Sequence, residues 1–239
     1  MTSWHRKPLC GFDLETSGVD PEQDRIVTAS VVRYGGGAPT EGSSWLANPG
    51  VEIPEEATGV HGVTTEHARA YGRPAAAVVE EITTALALAV TAGQPIVAMN
   101  AQFDLTMLDR EARRHGVRPL TDRVSPAVLD PRVLDKRVDR YRKGGRTLTD
   151  LCRHYVVQLD HAHSSEADAT AACAVVWKLA NRHRWIQETR LPDLHAAQVV
   201  WAREQNAGLR EYFARTAGKE EWALGVRLEW PLVPFWSAA

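Results

Sequence analysis

The sequence places two acidic side chains at the end of an apolar segment, in GFDLETSG (11–18). Residues of a strand alternate between two faces, so Asp13 and Glu15 lie on the same face of the strand that this segment predicts. Neighbouring carboxylates repel each other, and the cost of burying them is usually offset by a metal ion or another cation. A solvated strand end is the alternative, because one Asp-x-Glu is expected by chance in a chain of ordinary composition.

A third acidic residue follows the next apolar segment, PIVAM, in NAQFD (100–104). This position is a junction between a strand and a helix, which puts Asp104 at the same edge of the sheet as Asp13. A purely structural role is equally compatible with the pattern. Asn100 can cap the helix, and Asp104 can complement the dipole of its first turn.

The segment HAHSSEAD (161–168) offers two histidines, two acids and a pair of serines. Helical periodicity aligns Asp168 with the apolar stripe of the following helix and turns Glu166 about 160° away. The alternative for Asp168 is a capping box, with Ser165 as the N-cap residue. His163 lies in the loop that enters this helix, where it could reach over the helix end. A lone loop histidine is otherwise a surface residue.

The elements that would position these residues form an α/β domain with a mixed sheet covered by helices. Three strands open the chain, and strands alternate with helices afterwards. The pattern predicts strands at 8–15, 25–36, 42–49, 94–100 and 127–131, and helices at 74–92, 101–116, 147–155, 165–182 and 192–216.

Composition limits the classes of function. The 239 residues are 44% hydrophobic, which is enough for a full core. With a formal net charge of −2, only a local basic patch can hold a polyanion. Residues 132–146 contain seven basic residues against Asp135 and Asp139. This segment is interpreted either as a track for a single-stranded backbone or as a solvated helix and loop.

Three widely spaced cysteines argue against a disulfide framework and a zinc knuckle, and they are typical of a reducing cytoplasm. The N-terminal segment lacks the apolar core of a signal peptide. The most apolar region, 75–99, is interrupted by polar residues. We therefore expect a cytoplasmic protein with no membrane contact.

Taken together and in this order, the motifs resemble those of the DEDDh family of 3′-5′ exonucleases, in the RNase H-like superfamily. This group includes the epsilon subunit of bacterial DNA polymerase III, to which the chain looks most similar, as well as RNase T and oligoribonuclease. FDLETSG, NAQFD and HSSEAD match the three family motifs. VHGVT (60–64) resembles a segment that the family has between the first two motifs. The resemblance covers roughly residues 8–182.

The resemblance implies an RNase H-like mixed central sheet flanked by helices, and hydrolysis of the terminal phosphodiester with two divalent cations, Mg²⁺ or Mn²⁺. The implied metal ligands are Asp13, Glu15, Asp104 and Asp168. His163 is implied as the general base. The positions that match substrate contacts in the family are Leu14, Thr16, His61, Asn100 and Phe103.

The expected substrate is DNA with a 3′ end, most simply a single-stranded one. An RNA-trimming exoribonuclease and a catalytically silent nucleic-acid-binding subunit remain as alternatives. We expect an exonuclease domain over residues 1–185 and a C-terminal helical extension and tail over 186–239. The extension is expected to pack on the domain, and docking to a DNA polymerase subunit or a clamp is the alternative.

Overall fold

The computed structural model of the protein describes residues 3–159 and 164–235. A six-stranded sheet lies at the centre of this part of the chain. Its strands are β1 (Pro8–Thr16), β2 (Ile26–Gly35), β3 (Glu41–Asn48), β4 (Arg73–Pro74), β5 (Ile96–Val97) and β6 (Val128–Leu129), in the spatial order β4-β3-β2-β1-β5-β6. The first three strands form an antiparallel meander, and β5 and β6 add parallel to β1.

Helices cover both faces of the sheet. They are α1 (Glu55–His61), α2 (Thr65–Tyr71), α3 (Ala75–Thr91), α4 (Ala101–Arg114), α5 (Leu120–Arg123), α6 (Pro131–Val138), α7 (Leu148–Tyr155), α8 (Ser165–Arg182), α9 (Arg184–Glu188), α10 (Leu191–Arg215) and α11 (Glu220–Gly225). The predicted strands and helices are all present, with ends that differ by up to three residues. Helix α6 agrees with the interpretation of 132–146 as a helix and loop, whereas five other shorter helices and β4 were not predicted.

Strand β1 lies inside the sheet and separates two hydrophobic clusters. Cys10, Phe12 and Leu14 point into the cluster that contains residues of α3 and α4. Leu9 points into the other cluster, which contains residues of α7 and α8. Because side chains alternate along a strand, Asp13 lies on the same face as Leu9, towards α8.

Helix α8 packs very closely against β1 at Gly11. A Cβ atom at Gly11 would lie 2.7 Å from the carbonyl oxygen of Ala169 and 3.0 Å from the Sγ of Cys173. Real Cβ atoms do not come so close to a backbone oxygen, so only glycine allows this approach. Asp168, which is adjacent to Ala169 in the chain, is thereby held over the end of β1.

Helix α10 covers the edge of the sheet that β6 would otherwise leave exposed. The Nε2 of Gln198 donates to the carbonyl of Val128 at 3.0 Å, and its Oε1 accepts from the N–H of Asp130 at 2.9 Å. His195 accepts from the N–H of Val128 through Nδ1 at 3.1 Å. These side chains bind the backbone groups that an unpaired edge strand would expose.

The C-terminal residues also contribute to the core. Ile186 and Leu194 belong to the cluster with α7 and α8, whereas Ala202 and Trp230 belong to the cluster with α3 and α4. The predicted boundary between 185 and 186 falls inside α9. Within the residues that the structure describes, no helix has the length and apolar character that a membrane crossing requires.

Candidate active site

Three carboxylates meet at the C-terminal end of β1. Asp13 and Glu15 come from the strand, and Asp168 comes from the first turn of α8. One oxygen atom of each side chain lies within 4.8 Å of the corresponding atoms of the other two. All three residues are partly buried. Residues separated by more than 150 positions thus form one compact acidic cluster.

The cluster carries strong electrostatic repulsion. Burial raises the pKa of Asp13 well above its ordinary value, and the negative charges of Asp104, Asp168 and Glu15 raise it further. Burial and the charge of Asp168 raise the pKa of Glu15 from 4.5 to about 7. Each carboxylate therefore favours its neighbours' protonated forms unless a cation compensates the charge.

Asp104 lies beside this cluster, in the first turn of α4, and is buried. Its Oδ1 accepts a hydrogen bond of 3.2 Å from the backbone N–H of Leu14. Burial raises the pKa of Asp104, hydrogen bonds to backbone N–H groups lower it, and the charges of Asp130 and Glu15 raise it. Asp104 is outside the group of three carboxylates that share one position. It adds negative charge and fixes the backbone between Asp13 and Glu15.

Asn100 begins α4 in a left-handed conformation, with φ 60° and ψ 45°, which asparagine tolerates better than most residues. Its side chain does not cap the helix, so the capping interpretation is wrong. The Oδ1 of Asn100 instead accepts a hydrogen bond of 3.1 Å from Arg132. The N–H of Ala101, at the start of the helix, donates to the carboxylate of Asp130 at 3.1 Å. Asp130 therefore caps α4 from a distant part of the chain.

Asp130 was not predicted as part of this region. The buried carboxylate also accepts from the backbone N–H groups of Arg132 and Val133 at the start of α6 and from the indole N–H of Trp230. Asp followed by Pro at a helix start is a recognised N-cap pattern, and this signal could have located α6. Nothing in the sequence indicated its bond to Ala101.

His61 lies next to the end of β1. It is the last residue of α1, and its Nδ1 accepts a hydrogen bond of 3.1 Å from the N–H of Val63. Burial lowers the pKa of His61, and the nearby backbone of Thr16 partly offsets this effect. The hydroxyl of Thr16 donates to the carbonyl of Gly18 at 2.6 Å. The structure therefore brings His61 and Thr16 together beside Glu15.

Leu14 and Phe103 take part in packing. The side chain of Leu14 is buried in the cluster with α3 and α4, and that of Phe103 is partly buried against the same cluster. The N–H of Phe103 donates to the carbonyl of Asn100 at 2.9 Å. Their contact with a substrate stays a prediction.

The start of α8 contradicts the predicted capping box with Ser165 as the N-cap residue. Ser164, and not Ser165, is the N-cap residue, and no side chain caps the helix. The hydroxyl of Ser165 is buried against the sheet and shares a hydrogen bond of 2.8 Å with Ser30, because a buried hydroxyl requires a polar partner. Glu166 is exposed and accepts from Ser44 at 3.2 Å. His161 and His163 lie outside the described residues.

The acidic cluster suits divalent cations on chemical grounds. Its donors are carboxylate oxygens, which hard cations such as Mg²⁺ and Mn²⁺ prefer. Burial and mutual repulsion raise the pKa values of Asp13 and Glu15, and a bound cation would offset both effects. The residues present therefore fit a divalent metal centre.

The model of the RNase T exonuclease family matches residues 10–176, which is more than half of the chain. The chain belongs to this exonuclease family. The matched range includes Asp13, Glu15, Asp104 and Asp168. The predicted membership in a 3′-5′ exonuclease family is thus confirmed.

Curated relatives of this exonuclease are much longer proteins. DNA polymerase III of the PolC type from Lacticaseibacillus paracasei is 27% identical over 168 residues, which are 70% of this chain and 11% of that protein. The corresponding protein of Streptococcus agalactiae is 25% identical over 199 residues, covering 82% of this chain and 13% of that protein.

Solved structures of exonuclease I have the same fold. One superposes with a TM-score of 0.66 and 19% identity over 76% of this chain and 42% of that chain. The Escherichia coli enzyme in complex with a dT13 oligonucleotide superposes with a TM-score of 0.65 and 19% identity, over 75% of this chain and 42% of that one. These similarities confirm the predicted RNase H-like fold, a mixed sheet flanked by helices.

Proposed function

We propose that this exonuclease hydrolyses the terminal phosphodiester bond at 3′ ends of DNA, preferably single-stranded, and releases nucleoside 5′-monophosphates. The observation that carries this proposal is the acidic cluster of Asp13, Glu15 and Asp168, whose oxygens lie within 4.8 Å of one another in a member of an exonuclease family. The complex of exonuclease I with a dT13 oligonucleotide supports DNA as the substrate.

Asp13, Glu15 and Asp168 would hold the divalent cations, Mg²⁺ or Mn²⁺. Two such cations supply activation of the attacking water and stabilisation of charge on the leaving 3′ oxygen. Asp104 contributes negative charge beside the cluster and, through Leu14, keeps the strand end in position. Because Asp104 is not among the three residues whose oxygens lie within 4.8 Å of one another, an indirect role suits it.

The remaining roles follow the family motifs. His163 would accept the proton of the attacking water, so activity would rise as pH increases through the ordinary pKa of histidine, about 6.5. Thr16 and His61, which lie at the end of β1, would contact the terminal nucleotide together with Asn100, Leu14 and Phe103. Similarity to DNA polymerase III of the PolC type supports action beside a DNA polymerase.

The test is a 3′-end degradation assay with 5′-labelled single-stranded DNA, duplex DNA and RNA of the same sequence, with Mg²⁺, Mn²⁺ or EDTA. We expect EDTA-sensitive shortening from the 3′ end, fastest on single-stranded DNA. Faster shortening of RNA would assign the chain to RNA trimming, because contacts to the 2′-hydroxyl lie outside the metal ligands. No cation-dependent shortening of any substrate would contradict the proposal.

A matched variant strengthens this assay. Glu166→Gln removes an exposed carboxylate two residues from Asp168 on the same helix. Because Glu166 is not in the acidic cluster, its variant should degrade DNA at the wild-type rate. His163→Ala should lower the rate sharply while Mn²⁺ binding, measured by calorimetry, largely remains. Wild-type turnover of His163→Ala would remove the assignment of the base.

A further inference from the structure

A groove runs between α6, which lies inside the part of the chain that the family model matches, and α10, which lies beyond it. It consists of two adjoining cavities of about 490 and 150 Å³, which share Gln205 and Leu209 in their walls. The Nε2 of Gln205 donates to the carbonyl of Val133 at 3.1 Å, and this bond fixes the two helices relative to each other. The groove is therefore a preformed feature.

One wall of the groove is strongly basic. Arg132, Lys136 and Arg140 recur every four residues, and the first two lie on the same face of α6. Within the described residues, none of these three forms an ion pair, in contrast to Arg142 and Arg146, which both bind the buried Asp135.

The positive charges of this wall repel one another. Burial lowers the pKa of Lys136, and the charges of Arg132, Arg146 and Arg140 lower it further. On the opposite wall, Glu204 provides one negative charge. The groove therefore has positive charge that an anion could neutralise.

Aromatic side chains lie along the α10 side of the groove. The guanidinium of Arg137 stacks over the ring of Trp201, 5.1 Å from its centroid. Tyr212, about three helical turns further along α10, is 56% exposed. Gly208 lies between them, and a Cβ atom there would have no neighbour within 4 Å. An open, basic groove with aromatic faces is the type of surface that binds single-stranded nucleic acid.

The groove connects with the active site through Arg132. This residue lines the smaller cavity and donates to Asn100, the N-cap residue of the α4 helix that carries Asp104. A strand whose 3′ end lies at the acidic cluster can thus continue past Asn100 along α6.

We propose that the groove between α6 and α10 binds the single-stranded DNA upstream of the nucleotide being removed. The phosphates contact Arg132, Lys136 and Arg140, and a base stacks on Tyr212. This inference rests on the proposed function and adds to it a binding surface that the C-terminal helix α10 builds together with α6.

The first test places a charge in the groove. Gly208→Glu puts a carboxylate into the open space, and Gly208→Gln adds a neutral side chain of the same size. Binding of fluorescent dT20 is measured in EDTA, where cation-dependent hydrolysis cannot proceed. We expect the Glu variant to bind on the order of tenfold more weakly than the Gln variant at low salt. Equal affinities would overturn the proposal.

The second test counts phosphate contacts. Lys136→Gln combined with Arg140→Gln should reduce the slope of log Kd against log salt by about 1.4, since each contact to a single strand contributes about 0.7. The control, Arg184→Gln with Arg190→Gln, removes the same charge from exposed ion pairs on α9 and before α10 and should leave the slope unchanged. An unchanged slope in the Lys136 and Arg140 variant would contradict the inference.

Hydrolysis assays separate this inference from the proposed function. All variants should hydrolyse a dinucleotide with the wild-type kcat/KM, because the groove lies beyond its reach, whereas Gly208→Glu should degrade dT20 with a higher KM. A wild-type protein that binds dT20 through the groove but hydrolyses neither substrate would contradict the proposed function alone. Binding of an acidic peptide in place of dT20 would assign the groove to a protein partner and overturn the inference.

Discussion

Mutual repulsion between Asp13, Glu15 and Asp168 is the dominant property of the site at the scale of single residues. Carboxylates held this close destabilise the folded protein when no cation compensates them. The same arrangement gives the site its affinity for divalent cations. Function and stability are therefore opposed at this position, as is common for active sites.

Replacement of Asp13 by Asn should separate the two effects. We expect 3′-end degradation to fall by roughly a thousandfold or more, because a cation ligand is lost. In EDTA, the melting temperature should rise by about 2–4 °C, the shift that about 1 kcal/mol of relieved repulsion gives in a domain of this size. Calorimetric melting in EDTA measures the second effect, and a lower melting temperature for Asp13→Asn would contradict it.

The pKa of Glu15 gives a pH dependence with a defined sign. In the folded protein this pKa is raised from 4.5 to about 7, so the folded state binds more protons than the unfolded state between these values. Stability of the metal-free protein should therefore fall as pH rises from about 4.5 to about 7. Urea unfolding in EDTA at several pH values measures this fall.

Glu15→Gln is the control for that series. It removes the titrating group, so its stability should decline less than that of the wild type over the same pH range. Saturating Mg²⁺ should reduce the decline of the wild type, since the cation binds the ionised carboxylates. Identical pH profiles of the two proteins in EDTA would show that Glu15 does not titrate in this range.

The grouping of the three carboxylates was predictable at the residue scale from spacing, whereas their role as metal ligands came from the family resemblance. Strand alternation aligned Asp13 with Glu15, and helical periodicity distinguished Asp168 from Glu166. The bond between Asp130 and Ala101 was missed because the two residues are 29 positions apart in the sequence. Local spacing holds no information on such a contact.

At the scale of elements, helix α10 packs along the outer edge of β6 and covers that end of the sheet. Strand β6 has a neighbour only on its β5 side within the described residues, so its other edge requires polar partners. Gln198 is fully buried and supplies two of them. A polar residue on the buried side of a long helix therefore has a structural purpose here.

Gln198→Leu should destabilise the protein by about 2–4 kcal/mol, since it leaves a buried carbonyl and a buried N–H without partners. Urea unfolding followed by circular dichroism measures the change. The control, Val200→Gln, alters an exposed position of the same helix and should change stability by less than about 0.5 kcal/mol. A loss of similar size in both variants would argue against the role of Gln198.

Long elements were predictable because their apolar residues repeat over several turns or strand pairs. The shorter helix α6 lies in a basic segment for which the sequence left two interpretations open. Tertiary contacts separate the basic residues of this segment into two groups. Arg142 and Arg146 bind the buried Asp135, which also accepts a hydrogen bond of 2.8 Å from the hydroxyl of Tyr155. The sequence could not distinguish these structural arginines from those that line the groove.

At the scale of the whole molecule, the folded unit extends further along the chain than the part that the family model matches. The match ends at residue 176, whereas residues up to Trp230 are buried in the core. The final described residues follow α4, where the ring of Phe235 lies 4.8 Å from the guanidinium of Arg113. The C-terminal segment thus completes the exonuclease fold of this chain.

A chain that ends at residue 189, after α9, should fail to form a stable monomer. It lacks the buried Leu194, Gln198, Ala202 and Trp230 and exposes the edge of β6, which favours aggregation. Soluble yield and size-exclusion chromatography test this expectation. A chain that ends at Phe235 is the control and should behave as the 239-residue chain. Cooperative unfolding of the shorter chain at the wild-type temperature would contradict the prediction.

The close contact at Gly11 has a consequence for how homologous genes are interpreted. A methyl group at this position would push α8 away from β1, and Asp168 would move with the helix, although every acidic residue would still be encoded. Searches that recognise the acidic motifs would classify such a gene product as an active nuclease. Inspection of this one glycine, which carries no chemistry itself, would therefore help to distinguish working enzymes from inactive descendants that retain the same charged residues.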